Sequence, residues 1–163
     1  MQVVTNENKI LGEKLYKTMC RTAEFALHHE GIGHDDCEVG LSFVSSAEIQ
    51  ELNAQYREVD EATDVLSFPM YENADDIREA LSLDTDRPEP SLLLGDVVIC
   101  IDIAKKQAEE IGQSLEEEIL YLFIHSVLHL LGYDHETEKD KRTMRAVEKD
   151  ILRYLSDNEE GNS

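Results

Sequence analysis

Basic residues are scarce in this chain. Fifteen lysines and arginines stand against 36 aspartates and glutamates, a formal net charge of −21 with a pI near 4.4. Such a surface repels phosphate backbones on average, so nucleic-acid binding would need a locally basic groove. The plain reading of the excess acid is solubility. Cysteine is sparse too: Cys20, Cys37 and Cys100 are widely spaced and form no Cys-x-x-Cys pair. They read as reduced thiols, which fits a cytoplasmic location. Long hydrophobic runs are missing. The longest nearly apolar stretch, Ile119 to Tyr133, is too short to span a bilayer and contains two histidines. Residues 1–9 show no basic region followed by an apolar one, so no signal peptide is expected. Repeats and Gly-, Ser- or Pro-rich linkers are absent as well. Residues 1–155 therefore read as one domain with its own core, and 156–163 as a disordered tail.

What is present is a mixture of strand and helix patterns. Leu11, Leu15, Met19, Thr22 and Phe25 or Ala26 recur at helical spacing from Asn8 to about Glu30, and Gly31-Ile-Gly33 ends that helix. Cys37 to Val44 alternates as a strand. Ser45 with Glu48 offers a capping box for a helix reaching Arg57. Val65 to Phe68 is a short strand stopped by Pro69, which suggests an edge. Met70 to Ser91 is acidic and reads as a surface excursion with a weak helical patch at Asp76 to Leu81. Leu92 to Ile101 is the most apolar strand and leads into a helix from Asp102 to Ile111. Ser114 with Glu117 caps a helix to Leu131 with Gly132 behind it, and a last helix spans about Thr137 to Leu155. The class is α+β: a small mixed sheet of about four strands covered by about five helices.

The chemistry concentrates in His125-Ser-Val-Leu-His129-Leu-Leu-Gly132-Tyr-Asp-His135. His125 and His129 lie four apart on a predicted helix, so both imidazoles leave one face and can grip one ion. Gly132 permits a left-handed turn, and His135 then arrives from the loop as a third ligand. Three neutral imidazoles suit zinc, nickel or another borderline divalent ion and leave a position open for water. The spacing follows the metzincin pattern H-E-x-x-H-x-x-G-x-x-H except that Ser126 replaces the glutamate base, which disfavours a peptidase. His28, His29 and His34, at or beyond the end of the first helix, read as surface or capping residues.

This block resembles the H-G-x-L-H-L-x-G-Y-D-H signature of the YbeY family of bacterial endoribonucleases and ribosomal RNA maturation factors. Asn53-Ala-Gln-Tyr56-Arg57-Glu-Val-Asp60-Glu-Ala-Thr63-Asp64-Val65-Leu66-Ser67-Phe68-Pro69 is similar to the family's N-x-x-Y-R-x-x-D-x-x-T-D-V-L-S-F-P segment. Leu94-Gly95-Asp96-Val97-Val98-Ile99 is similar to its L-G-D-I-V-I strand. Ser126 departs from the family's usual glycine, and its hydroxyl is near enough in sequence to affect a metal-bound water. The resemblance implies an α+β, zincin-like fold with His125, His129 and His135 on one metal, usually zinc. It also implies cleavage of single-stranded ribosomal RNA at the 3′ end of the small-subunit species, a part in ribosome quality control, and association with the small ribosomal subunit. The family's functional arginine maps onto Arg57 and its first metal-site histidine onto His125, so these two carry the catalytic assignment.

Phosphodiester cleavage needs an activated nucleophile and positive charge on the phosphate, which a three-histidine metal and the planar guanidinium of Arg57 can supply. Asp134 reads equally as a residue orienting a ligand histidine or as a turn residue. Asp64, Ser67 and Asp96 read as fixing turns and strand ends, and Tyr133 as packing. No general base is identifiable, so attack by water and by the RNA's own 2′-hydroxyl both stand open. The net charge calls for a local positive groove around Arg57, to which Lys14, Lys17, Arg21, Lys105 and Lys106 are the candidate contributors. Two rival readings remain: a metallopeptidase-like hydrolase, and a ribosome assembly factor whose metal is structural.

Overall fold

A computed structural model describes residues 2–5, 8–32, 37–83, 92–134 and 136–161. Its elements in chain order are β1 (Gln2–Thr5), α1 (Asn8–His29), β2 (Cys37–Val44), α2 (Ser46–Arg57), β3 (Val65–Pro69), α3 (Ala74–Leu83), β4 (Leu92–Cys100), α4 (Ile101–Ile111), α5 (Leu115–Leu130) and α6 (Glu138–Gly161). The four strands form one sheet in the order β1-β2-β4-β3. The first three are parallel, and β3 runs antiparallel along β4 at the edge. Parallel neighbours require long crossovers, and α1 supplies the one between β1 and β2. The sheet is mixed and small, and six helices cover it where about five were expected.

β4 is central and buried on both faces, which is why it reads as a nearly continuous apolar run. Val97 and Ile99 join the large core cluster formed with α1, α5 and α6, while Val98 and Cys100 join a smaller cluster with Ile49 of α2. Strand alternation thus divides one strand between two cores. Gly95 lies at φ 154°, and a Cβ there would sit 2.4 Å from the Phe68 carbonyl oxygen and 2.7 Å from a Leu130 methyl. Only glycine lets β3 and α5 close onto this strand.

α5 is the structural spine. Leu122, Phe123, Ile124, Val127, Leu128 and Leu130 are all buried in it, and each fully buried side chain of this size contributes roughly 1.5–3 kcal/mol. Both expected capping boxes form, Ser45 with Glu48 at α2 and Ser114 with Glu117 at α5. Three expectations change. β1 is a strand that the sequence pattern did not reveal. The stretch expected as a surface excursion from Met70 to Ser91 is more than that as far as residue 83, because α3 places Ile77, fully buried, in the main core, while 84–91 lie outside the described residues. Finally, α6 continues as helix to Gly161, past the end expected near Leu155. No helix among the described residues is long and apolar enough to cross a membrane.

Candidate active site

Four stretches converge on one cavity of about 640 Å³: the end of α2 (Arg57), the start of β3 (Asp64 to Ser67, with Pro69), the segment before α3 (Glu72), and the last turns of α5 with the chain behind them. Tyr121, His125, His129, Tyr133, Asp134 and Glu136 line the last of these. The two histidines stand one helical turn apart on α5, half-buried, with rings 4.7 Å apart and nearly perpendicular.

Hydrogen bonds define how each ring is held. His125 Nδ1 lies 3.1 Å from Glu148 Oε1 on α6, and His129 Nδ1 lies 3.0 Å from the Tyr133 carbonyl oxygen. A carboxylate and a carbonyl can only accept, which assigns the proton of each ring to Nδ1. Both Nε2 atoms then present lone pairs, and they face each other at 3.1 Å. In neutral rings two such lone pairs repel, and a proton or a metal ion between them relieves the repulsion. Nitrogens bound about 2.0–2.1 Å from a tetrahedral ion stand about 3.3–3.4 Å apart, so the pair fits a zinc-like ion. His135, the expected third ligand, lies outside the described residues. Its neighbours Asp134 and Glu136 both line the cavity. Among the described residues, no three histidine, cysteine or carboxylate side chains converge as a metal-binding group.

The turn that brings this segment back depends on Gly132. Its φ is 96°, and an added Cβ would stand 2.8 Å from Asn73 Cα and 2.9 Å from the Glu72 carbonyl oxygen. The expected left-handed glycine is therefore required twice, by conformation and by contact. Tyr133 is more than packing. Its carbonyl orients His129, and its hydroxyl donates to Glu30 Oε1. Burial, reinforced by that glutamate, pushes its phenol well above the ordinary range. The exposed Tyr121 stacks beside His125 with ring centroids 6.2 Å apart and 25° between planes, and its phenol too is raised, chiefly by burial.

Arg57 closes the other side. It ends α2, is exposed, and donates through Nη2 to the Ser67 carbonyl oxygen. Its guanidinium lies 5.8 Å from the centroid of the Phe68 ring. Ser126, in place of the usual glycine, is fully buried, and its hydroxyl is hydrogen-bonded to Ser67 Oγ. The hydroxyl is thus committed to β3, where it joins the histidine helix to the strand that holds Arg57. Asp64 behaves as expected of a strand-start residue: its Oδ1 accepts from Val65 N at 2.8 Å and from Thr63 Oγ1 at 3.3 Å. Asp96 is exposed on β4 and does not line the cavity. His28 and His29 are exposed at the end of α1, while His34 falls outside the described residues.

One expectation fails outright. None of Lys14, Lys17, Arg21, Lys105 and Lys106 lines the cavity, and Lys17 is paired with Glu13 at 3.0 Å. Arg57 is the one cation in the described lining, beside Asp64, Glu72, Asp134 and Glu136. Sequence reading also missed Glu148. Its signal was available: position 148 falls on the stripe of Met144, Val147 and Ile151, where a carboxylate is out of place unless it has a partner.

Fold and site together define a small α+β protein built around a histidine-bearing helix. Comparison with known proteins narrows that class. The family described as Endoribonuclease YbeY matches residues 2–156. The chain is 46% identical over 144 residues to Endoribonuclease YbeY from Pelotomaculum thermopropionicum, covering 88% of each sequence. It is 40% identical over 161 residues to that of Clostridium beijerinckii, covering 94% of this chain and 96% of that one. Its fold is similar to the solution structure of TM1509 from Thermotoga maritima, with a TM-score of 0.58, 29% identity, and coverage of 97% and 93% of the two chains. The chain belongs to the YbeY family.

Proposed function

We propose that this protein is a metal-dependent endoribonuclease that cuts single-stranded ribosomal RNA during maturation of the small subunit in the cytoplasm, with zinc or a similar divalent ion held by His125, His129 and His135. Family membership supports the reaction class. The observation that carries the metal is the facing Nε2 pair, each ring fixed from behind by an acceptor. When bound, such an ion supplies Lewis acidity toward water or a phosphate oxygen.

The chain's own residues do the rest. Glu148 and the Tyr133 carbonyl hold both imidazoles in the tautomer that presents Nε2, and Glu148 offsets positive charge gathered at His125. Arg57 can leave the Ser67 carbonyl for a phosphate, because its head is exposed and a charged acceptor outbids a neutral one. There it neutralises charge that grows on the phosphate oxygens. Asp64, Glu72, Asp134 and Glu136 are the carboxylates within the cavity able to take a proton from water or from a 2′-hydroxyl. Where the peptidase pattern has its glutamate, the buried Ser126 offers no proton acceptor, which keeps the peptidase reading behind.

The test is cleavage of a single-stranded ribosomal RNA fragment by metal-loaded protein beside Arg57→Ala and His129→Ala, with metal content and melting checked for each. Loss in both variants, with Arg57→Ala folded and loaded, supports the proposal. Parent and variants that all leave the RNA intact, while restoring subunit maturation in cells, would put the assembly-factor reading ahead.

A further inference from the structure

The cavity is poorly equipped to bind a polyanion. A single-stranded RNA brings one phosphate per nucleotide, and proteins that hold it by charge do so with several cations. Here Arg57 is the one cation in the described lining, four carboxylates share that lining, and the whole chain carries −21. An ion between the histidines and Arg57 could hold a phosphate at the cut, but its neighbours along the strand would meet acid. Affinity for the flanking nucleotides must then come from their uncharged part.

Tyr121 is placed for that. Tyr121, His125 and His129 recur every fourth residue along one face of α5, so the tyrosine stands one turn before the first histidine. It is 46% exposed, whereas the Leu122, Phe123 and Ile124 that follow it are buried, so the core does not require it. Its ring lines the cavity and lies 25° from parallel with the His125 ring. A flat, neutral, exposed ring at the edge of a catalytic cavity is what a base stacks on, and it accepts any base because each has a π-face.

Resting on the ribonuclease reading above, we propose that Tyr121 is the stacking platform for a base beside the scissile phosphate, and that the protein holds single-stranded RNA mainly through its bases. Tyr121 is a binding residue, distinct from the groups that act on the bond. Its other side borders an apolar groove with the exposed Ile111 and Leu152, rimmed by Glu110 and Glu117. A protein partner is the competing occupant. The RNA reading is favoured because the ring stands beside His125, inside the cavity that holds the reacting groups.

The experiment uses metal-loaded protein and a fluorescein-labelled single-stranded oligoribonucleotide. Binding is read by anisotropy in the cold before turnover, and kcat and KM by cleavage. Tyr121→Ala should weaken Kd and KM by roughly 5- to 150-fold, the range of one lost base–aromatic stack, with kcat little changed. Tyr121→Trp should retain binding. A single abasic site scanned along the oligonucleotide should weaken the parent at one position next to the cut and cost Tyr121→Ala nothing further there. The slope of log K against log salt should be no steeper than about −1.4, the value for two phosphates on a single strand. Unchanged binding in Tyr121→Ala, an abasic effect that ignores position, or a steep salt slope would overturn the proposal. So would Tyr121→Ala and Leu152→Ser that cut free RNA like the parent yet both fail to co-sediment with small ribosomal subunits, which would make Tyr121 part of a protein-docking face. Parent protein that binds in the expected pattern but does not cut would defeat the ribonuclease reading and leave the stacking role standing, and parent protein that does not bind would defeat both.

Discussion

His125 and His129 stand half-buried on the wall built by α5, each ring fixed by a hydrogen bond from behind, while Arg57 stands exposed at the end of α2 and leans on a carbonyl and an aromatic ring. The first wall is rigid because its residues are repeated along a buried helix, and an ion needs ligands held to a fraction of an ångström. The second is adjustable, because an exposed guanidinium can exchange one acceptor for another at little cost. A hydroxyl pair, the buried Ser126 with the half-buried Ser67, helps tie the two walls together.

The largest effect should come from breaking the rigid wall at its centre. His129→Ala is expected to lose bound zinc and all measurable cleavage, with metal content by atomic absorption as the check; retained stoichiometric zinc would mean that His129 is not a ligand. Next comes the adjustable wall. Arg57→Ala should lower kcat about 10²- to 10³-fold, as expected for removing one charge-stabilising donor, with zinc content and melting unchanged. Arg57→Lys should restore little, since a point charge does not reproduce the fork. Glu148→Gln should weaken zinc affinity about 10- to 100-fold, measured by competition with a chromogenic chelator. An affinity equal to the parent's would make the His125–Glu148 contact merely structural. The smallest effect belongs to the link between the walls. Ser126→Ala should cost about 1 kcal/mol, a melting shift of roughly 2–4 °C for a chain of this size. Its zinc content should be intact, and the effect should be absent when Ser67 is already alanine.

The rigid wall was legible in the sequence because its rules are local. A repeat of four places two histidines on one face, a serine–glutamate pair starts the helix, and a glycine ends it; all three depend on residues within a few positions of each other. Glu148 and Ser67 depend on partners 23 and 59 residues away, which no periodicity reveals. α3 was underestimated for a related reason: its acidic surface masks the core residues Ala74 and Ile77, whose burial is decided by distant parts of the chain. β1 is four residues long and carries too little pattern to stand out before β2 gives it a partner. The positive groove was inferred from charge on α1 and α4, and it failed because a helix can carry cations on a face that the cavity never meets.

The contact between Gly132 and the backbone of Glu72 and Asn73 also sets where the chain can change length. Between Pro69, the last residue of β3, and Ala74, the first of α3, four residues must pass the end of the histidine helix at van der Waals distance. Nothing there can be looped out without lifting Asn73 off Gly132 and shifting Glu72 in the cavity. A tag, a probe or a grafted epitope inserted in that stretch would open the site itself.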